Sequence, residues 1–510
     1  MKLIQTYRNT DLFEKLKSVS SGYPTAEIHW LSFAYSCLQL KKHHPDLPLV
    51  LYANEAVIKL VRDVYEFPYT DYHLLNEVDP VKNRLYAWPK IETYSRQTEP
   101  FIHIDNDIFI WKPLPDDLFE ADLVAQHMEE DSTFYMRVLR HIRKHGIRLP
   151  EFMNASISPT HVCAYNAGLL GGHDLDFFKQ YVKEIKRFIA DHEEIIMTMP
   201  EHFLINVVFE QWIFGALSRK SNIQVKTFYK DTIIDFKMPI YEPLAAISSP
   251  ACNYLHLMSF KQNRECNMMV IRNMYNEYPA YYHRIVDFCR TGNKSSHIIP
   301  SSSLDEPLSG SGESPVKKYP RSIRFVLEHL PGFDINAEFD PEYIQQILPI
   351  EQKKSFLSIY QIESEKQLLF QSVHKEQTSI MEFQSKQHLF LRDLCTKEKR
   401  IGDFLYKISP YVRFYFISKD IYAYLLNSSK VDQDVDLVLI CSYNALSDKI
   451  EEYIYGKRNA VFLPLFVDPV ETDVLIDLFE RKKNISIESK LTEFIKIGLF
   501  NDILCFMDKQ

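Results

Sequence analysis

The chain has 510 residues, a formal net charge of −9, 46% hydrophobic and 25% charged residues. That length suggests two to four domains with cores large enough to fold without disulfides. Only 13 Gly stand against 34 Phe and 30 Tyr, which excludes collagen-like and disordered classes, and the acidic balance argues against a non-specific nucleic-acid binder.

The first 290 residues alternate strand and helix signals. Leu3 to Thr6 is a short apolar strand, and Ala26 to His44 carries Ile28, Leu31, Tyr35 and Leu38 on one helical face. Leu49 to Tyr52 is a buried-type strand, Glu55 to Val64 is helical, and so is Leu85 to Gln97, with Pro89 marking its first turn. Phe101 to Ile104 is a strand ending in Asp105-Asn106-Asp107, and Ile108 to Trp111 is a second apolar run. Phe203 to Phe209 is an apolar helical run, and Tyr254 to Lys261 reads as a strand. Such alternation predicts a mostly parallel α/β sheet, in which ligands sit at the carboxyl ends of strands.

The stretch Thr291 to Lys318 is rich in Ser, Gly and Pro and reads as a flexible linker between a domain of residues 1–290 and a second of residues 319–510. In the second, helical signals cover Ser322 to Leu330 and Glu342 to His374, interrupted by Pro349. Strand-like runs follow at Val412 to Ile417, Asp436 to Ile440 and Ala460 to Val467, with helical signals at Ala445 to Tyr455, Val470 to Glu480 and Ser489 to Ile497. A smaller α/β or α+β domain is expected, of unknown role, serving acceptor recognition or partner binding. Asp432 to Asp436 is acidic but precedes a strand, so it reads as a turn.

The eight Cys form no CxxC pair and sit in or beside apolar runs, as buried free thiols in a reducing compartment do. The opening MKLIQTYRNTDLFEK lacks the apolar core of a signal peptide, and no run reaches the ~18 apolar residues of a membrane span. A soluble cytoplasmic protein is expected.

Chemistry concentrates in three places. In PFIHIDNDIFIWKPLP, Asp105 and Asp107 flank one residue after an apolar strand; on an extended strand residues i and i+2 point the same way, so the two carboxylates can converge on a hard cation. Mg²⁺ or Mn²⁺ held there would neutralise a nucleotide diphosphate and improve it as a leaving group. The segment AYNAGLLGG spends three Gly in five residues, where backbone approaches a ligand or turns tightly, with Asn166 as a donor and acceptor for sugar hydroxyls. In YLHLMSFK, His256 offers a nitrogen ligand and Lys261 a point charge for phosphate. Neither GxGxxG nor a P-loop is present.

These motifs, in this order, resemble the nucleotide-sugar glycosyltransferases of the GT-A fold, in particular a bacterial GT-A-like family, and more distantly the glycogenin-like family 8 enzymes. The resemblance covers residues 1–290. It implies a GT-A domain: Rossmann-like, with a mostly parallel mixed sheet. It implies metal roles for Asp105, Asp107 and His256, a diphosphate role for Lys261, and sugar- or acceptor-facing roles for Asn166 and Gly168. Family 8 usually has HxxGxxKPW; here HLMSFKQN has Ser259 for the Gly and its Lys one residue early. The resemblance also places Trp88 and Lys90 beside the donor, Trp88 covering a ring and Lys90 contacting phosphate. Thr6 and Tyr7 fall where the nucleotide base sits, and Asn106 joins the donor-binding set. Glu210 falls near the anomeric carbon as acceptor contact or as the base an inverting enzyme needs. His43, His44, His141 and His145 read as helix-surface residues rather than zinc ligands, and the cationic run Arg137 to Arg148 as a solvated helix face.

The expected function is therefore a metal-dependent glycosyltransferase using a nucleotide-diphosphate sugar, Mn²⁺ or Mg²⁺, and an acceptor that is a glycan, a peptide or a small molecule. Two alternatives stand beside it. A sugar nucleotidyltransferase needs a Gly-rich phosphate loop after the first strand, where this chain has YRNTDLFEK. A non-catalytic GT-A-like binding or scaffold protein would show no metal dependence.

Overall fold

The computed structural model describes residues 1–9, 11–75, 82, 84–235, 253–291, 319–331, 333, 339–395, 399–418, 421, 424, 437–445, 449–456, 462–483 and 487–509. The expected linker lies, apart from Thr291, outside the described residues, as does the acidic run Asp432 to Asp436. The chain divides into two compact units, residues 1–295 and 296–510.

In the first unit, strands β1 (Lys2–Tyr7), β2 (Leu49–Ala53), β3 (Asp71–Leu74), β4 (Phe101–Ile104), β6 (Leu123–Asp131), β7 (Val162–Gly172), β8 (Val225–Thr227) and β9 (Ile233–Ile234) form one eight-stranded sheet. Its order is β3-β2-β1-β4-β7-β6-β8, with β9 also on β6. Strands β1 to β4 run parallel, β8 and β9 run parallel to β6, and β7 alone is antiparallel to both of its neighbours. This is the expected Rossmann-like, mostly parallel mixed sheet. The central strands are buried along their length; every residue of LVLYA and FIHI is buried.

Local chemistry sets the covering helices. Helix α1 (Ala26–His43) starts where the Thr25 side chain accepts the Ile28 N–H, and ends on Lys41, Lys42 and His43, which suit the negative end of its dipole. Helix α2 (Trp88–Ser95) has Pro in its first turn, which sets its start later than expected; it also ends two residues short of Gln97. Asp174 caps α3 (Leu175–Ala190) by accepting the Phe177 N–H. Helix α4 (residues 205–220) widens into a π turn over Val208–Trp212. A π turn also replaces the second half of the helix expected over Glu55 to Val64.

Two features shape the carboxyl end of β4. Strand β7 pairs with β4 only through residues 169–172, so residues 162–168 continue past it with β6 as an antiparallel ribbon. A β-bulge shifts the β6–β7 register between Ala125 and His127, just beyond the residues through which β7 also pairs with β4. Then β5 (Ile108–Ile110) pairs antiparallel with β10 (Tyr254–His256), setting His256 opposite Ile108. The strand expected from Tyr254 to Lys261 is thus short, and Met258–Gln262 turns as a 3₁₀ segment.

The second unit is α+β. Strands β12 (Val412–Ile417), β13 (Leu437–Asn444) and β14 (Lys449–Gly456) form one antiparallel sheet. Strands β11 (Phe404–Ile408), β15 (Val470–Glu471) and β16 (Leu504–Asp508) form another. Helices α5 (Pro320–His329) and α6 (Ile350–Val373) pack against the first, and Pro349 interrupts the helical run as expected. Two expectations fail here. Residues 449–456 are strand, not helix, because the Ile- and Tyr-rich KIEEYIYG pairs along its whole length with β13. Within the run Ala460 to Val467, the described part holds a 3₁₀ turn, Leu463–Phe466, since Pro464 has no N–H to give a sheet. Of the described thiols, Cys37, Cys266, Cys289, Cys441 and Cys505 are buried and Cys163 is half-buried. Among the described residues no helix is long and apolar enough to cross a membrane.

Candidate active site

The two carboxylates meet by a route other than strand alternation. Residues 105–107 form a tight turn between β4 and β5, closed by the Ile108 N–H donating to the Asp105 carbonyl at 3.2 Å. The Asp105 N–H donates to the Gly168 carbonyl at 2.8 Å, and the Leu257 N–H to the Asp107 carbonyl at 3.0 Å. Neighbouring backbones thus hold the turn from both sides. Asn106 is fixed beneath it, its amide donating to the Thr6 carbonyl at 3.0 Å.

One ligand atom each from Asp105, Asp107 and His256 lies within 4.8 Å of the others. His256 Nε2 is 3.4 Å from Asp107 Oδ1 and 3.8 Å from Asp105 Oδ2. The other ring nitrogen is spoken for: Nδ1 donates to Gln126 Oε1 at 2.8 Å, which also accepts from Tyr254 Oη at 2.8 Å. With its proton on Nδ1, the imidazole turns the lone pair of Nε2 toward the carboxylates. An outer acceptor of this kind orients metal-binding histidines generally. Gly168 is required here: a Cβ would stand 2.4 Å from the His256 ring and 2.5 Å from Gln126 Oε1. Two carboxylates and an imidazole suit Mn²⁺ or Mg²⁺, so the residues fit the expected cation.

Two lysines complete the cluster. Lys261 Nζ is 3.0 Å from Asp107 Oδ2 and lies over the Tyr23 ring. Burial alone would raise the Asp107 pKa, but the Lys261 ammonium beside it, the largest opposing cause, holds the carboxyl well below its ordinary range. Lys90 Nζ donates to Asp105 Oδ2 at 2.8 Å and to Glu210 Oε1 at 2.6 Å. Burial opposes its charge, yet the two acids keep the ammonium protonated far into the alkaline range. The π turn of α4 delivers Glu210 here, 4% exposed, and burial pushes its carboxyl up despite Lys90.

Other predicted positions land differently. Trp88 is 1% exposed, with its ring edge-on to Phe209 in the core, so it has no face to cover a nucleotide ring. Lys90 reaches the site as a carboxylate partner rather than an open phosphate contact. The Thr6 hydroxyl is buried between Thr93 and His103, and Tyr7 Oη bonds Ser21, Asn9 and His29. Asn166 accepts the Gly168 N–H at 3.0 Å and donates to Glu129 at 3.1 Å, so both ends of its amide hold the ribbon.

Sequence reasoning missed the polar lining of the β6–β7 ribbon. Gln126 Nε2 donates to His127 Nδ1, and His127 Nε2 donates to Glu129 Oε1 at 2.9 Å. Glu129 also accepts from Tyr135, whose hydroxyl approaches Gln211 Oε1 at 2.5 Å. Burial would raise the Glu129 pKa, but His127, Tyr135 and Asn166 hold it below the ordinary value. The signal was available: Gln126 and His127 are consecutive polar residues in a strand otherwise apolar at its start.

A family profile described as "Family of unknown function (DUF6734)" matches residues 1–288. No curated protein matches the chain. Among solved structures, a galactosyltransferase, LgtC, in complex with donor and acceptor sugar analogues is 11% identical, covering 41% of this chain and 71% of that one with a TM-score of 0.26. Mouse xyloside xylosyltransferase 1, apo form, is 8% identical, covering 44% of this chain and 84% of that one, also at a TM-score of 0.26. At these scores neither likeness bears on the chemistry of the site.

Proposed function

Since the chain belongs, through residues 1–288, to the family of unknown function DUF6734, we propose from its own geometry that the first unit is a metal-dependent glycosyltransferase acting on a nucleotide-diphosphate sugar. The observation that carries this reading is the convergence of Asp105, Asp107 and His256 at the carboxyl end of β4, with Lys261 against Asp107. Hard oxygen ligands plus a nearby, partly exposed ammonium are what a diphosphate needs, and the end of a parallel strand is where an α/β sheet binds such ligands.

In this reading Asp105, Asp107 and His256 Nε2 hold Mn²⁺ or Mg²⁺, which when bound neutralises the diphosphate as it leaves. Lys261, 30% exposed at its side chain, turns from Asp107 to the phosphate oxygens. Glu210, whose burial strengthens its hold on a proton, takes the proton of the acceptor hydroxyl, with Lys90 fixing its orientation. Asn166 and Gly168 act on the site by position: one braces the ribbon, the other leaves room for the His256 ring. Tyr7, half-buried at the carboxyl end of β1, is where the nucleotide base is expected.

The test is a thermal-shift and donor-hydrolysis screen of common nucleotide-diphosphate sugars with and without Mn²⁺. The expected result is one donor class that stabilises the chain only with metal and loses its effect in Asp107→Ala. No response to any donor with any metal, from folded protein, would overturn the reading.

A further inference from the structure

A second cluster lies on the same ribbon, at the end away from β4. Glu130 and Cys163 are direct cross-strand partners in β6 and β7, so their side chains leave the sheet on one face. His161 precedes Cys163 by two residues and shares that face. One ligand atom from each of Glu130, His161 and Cys163 lies within 4.8 Å of the others, and His161 Nδ1 is 3.6 Å from Glu130 Oε1. All three are half-buried, accessible yet shielded. None belongs to the site at Asp105.

The local backbone is stiff. Ile157 bridges Val162, the Ser158 N–H donates to the His161 carbonyl at 2.9 Å, and the His161 N–H donates to Ser158 Oγ at 2.9 Å. The Ser158 and Thr160 hydroxyls flank His161 Nδ1 at 2.9 and 3.2 Å, orienting the ring. At the other end of the cluster the sheet continues, since Glu130 also pairs with Ile234 of β9.

We propose that Glu130, His161 and Cys163 form a zinc site. A thiolate, an imidazole and a carboxylate are the donors Zn²⁺ takes, and the thiolate excludes Mg²⁺ or Mn²⁺ as preferred occupants. Ligand atoms around a tetrahedral zinc stand about 3.4 Å apart given its bond lengths of ~2.0–2.3 Å. The three donor atoms already lie within 4.8 Å of one another. Three protein ligands leave the fourth position to water. The chain would then sort two metals by donor hardness, a hard ion at Asp105 and zinc at Cys163. The zinc site itself stands independently of the glycosyltransferase reading, on which only the hard ion at Asp105 rests.

The experiment uses the full chain, stripped with chelator and titrated with Co²⁺ as a spectroscopic stand-in for zinc. Thiolate coordination gives an intense charge-transfer absorption that oxygen and nitrogen ligands do not. The expected result is that absorption at one Co²⁺ per chain, displaced by Zn²⁺ and not by Mg²⁺. It should vanish in Cys163→Ser, persist in Cys289→Ser, and need at least about tenfold more Co²⁺ in His161→Ala. Circular dichroism confirms that each variant is folded. Its absence from the wild-type chain, or its survival in Cys163→Ser, overturns the proposal.

Discussion

Gly168 shows how much one missing methyl group decides. Alanine there would drive a Cβ into the His256 ring, which Gln126 holds from behind and which therefore cannot swing clear without losing that bond. Gly168→Ala should cost about 1–3 kcal/mol by overpacking, and it should weaken the metal-dependent donor shift more than it lowers the melting temperature. Glu210 gives a pH-dependent test. Its folded carboxyl binds a proton more tightly than an unfolded one, whose pKa is about 4.3. Wild-type stability therefore falls as pH rises from about 4.3 through the folded value. Glu210→Gln escapes that loss, so its stability relative to wild type should grow across the window and then level off, as followed by urea midpoints with chelator present. A flat difference across the range would show that the carboxyl is not perturbed.

At the scale of elements, the helices and strands of the first unit were largely legible, because apolar runs and caps announce them. The site was legible in part. Asp105 and Asp107 stood out by spacing, but they converge through a turn, which no alternation rule anticipates. The role of Lys90 was hidden because its partners lie 15 and 120 residues away, and no local pattern encodes such a pairing. Trp88 misled for the opposite reason: an aromatic beside a site looks like a platform, and only packing shows it to be core. In the second unit a buried ionic cluster ties α5 and α6 to β14. Glu452 on β14 accepts a two-pronged bond from Arg321 and pairs with Lys366 at 2.5 Å. Burial would raise its pKa, but the two cations hold it down to about 2. Glu452→Gln leaves Arg321 and Lys366 buried without their counter-charge, and should cost about 3–5 kcal/mol in denaturant unfolding. A loss under about 1 kcal/mol would mean that water replaces the carboxylate.

At the scale of the molecule, each unit carries its own hydrophobic core. The first spans Ile4 to Leu217, the second Phe325 to Ile450. Residues 1–295 expressed alone should unfold in one cooperative transition and keep the metal-dependent donor response, checked by calorimetry with and without Mn²⁺. Loss of the fold would assign part of the core's stability to the remaining 215 residues. The second unit offers no motif from which its role can be read, and its sheets were harder to foresee because short antiparallel strands of mixed polarity carry weak periodicity.

The ammonium groups of Lys90 and Lys261 have a consequence for the order of assembly. Each already occupies a carboxylate that the cation would take, so an ion arriving alone competes with tethered charges and gains little. On the proposed function, a diphosphate arriving with the ion gives Lys261 a new partner and lifts its competition at Asp107. Ion and donor should accordingly reinforce one another by equal factors, as linkage demands. On that function, the concentration of either one needed to half-fill the site should fall as the other is raised.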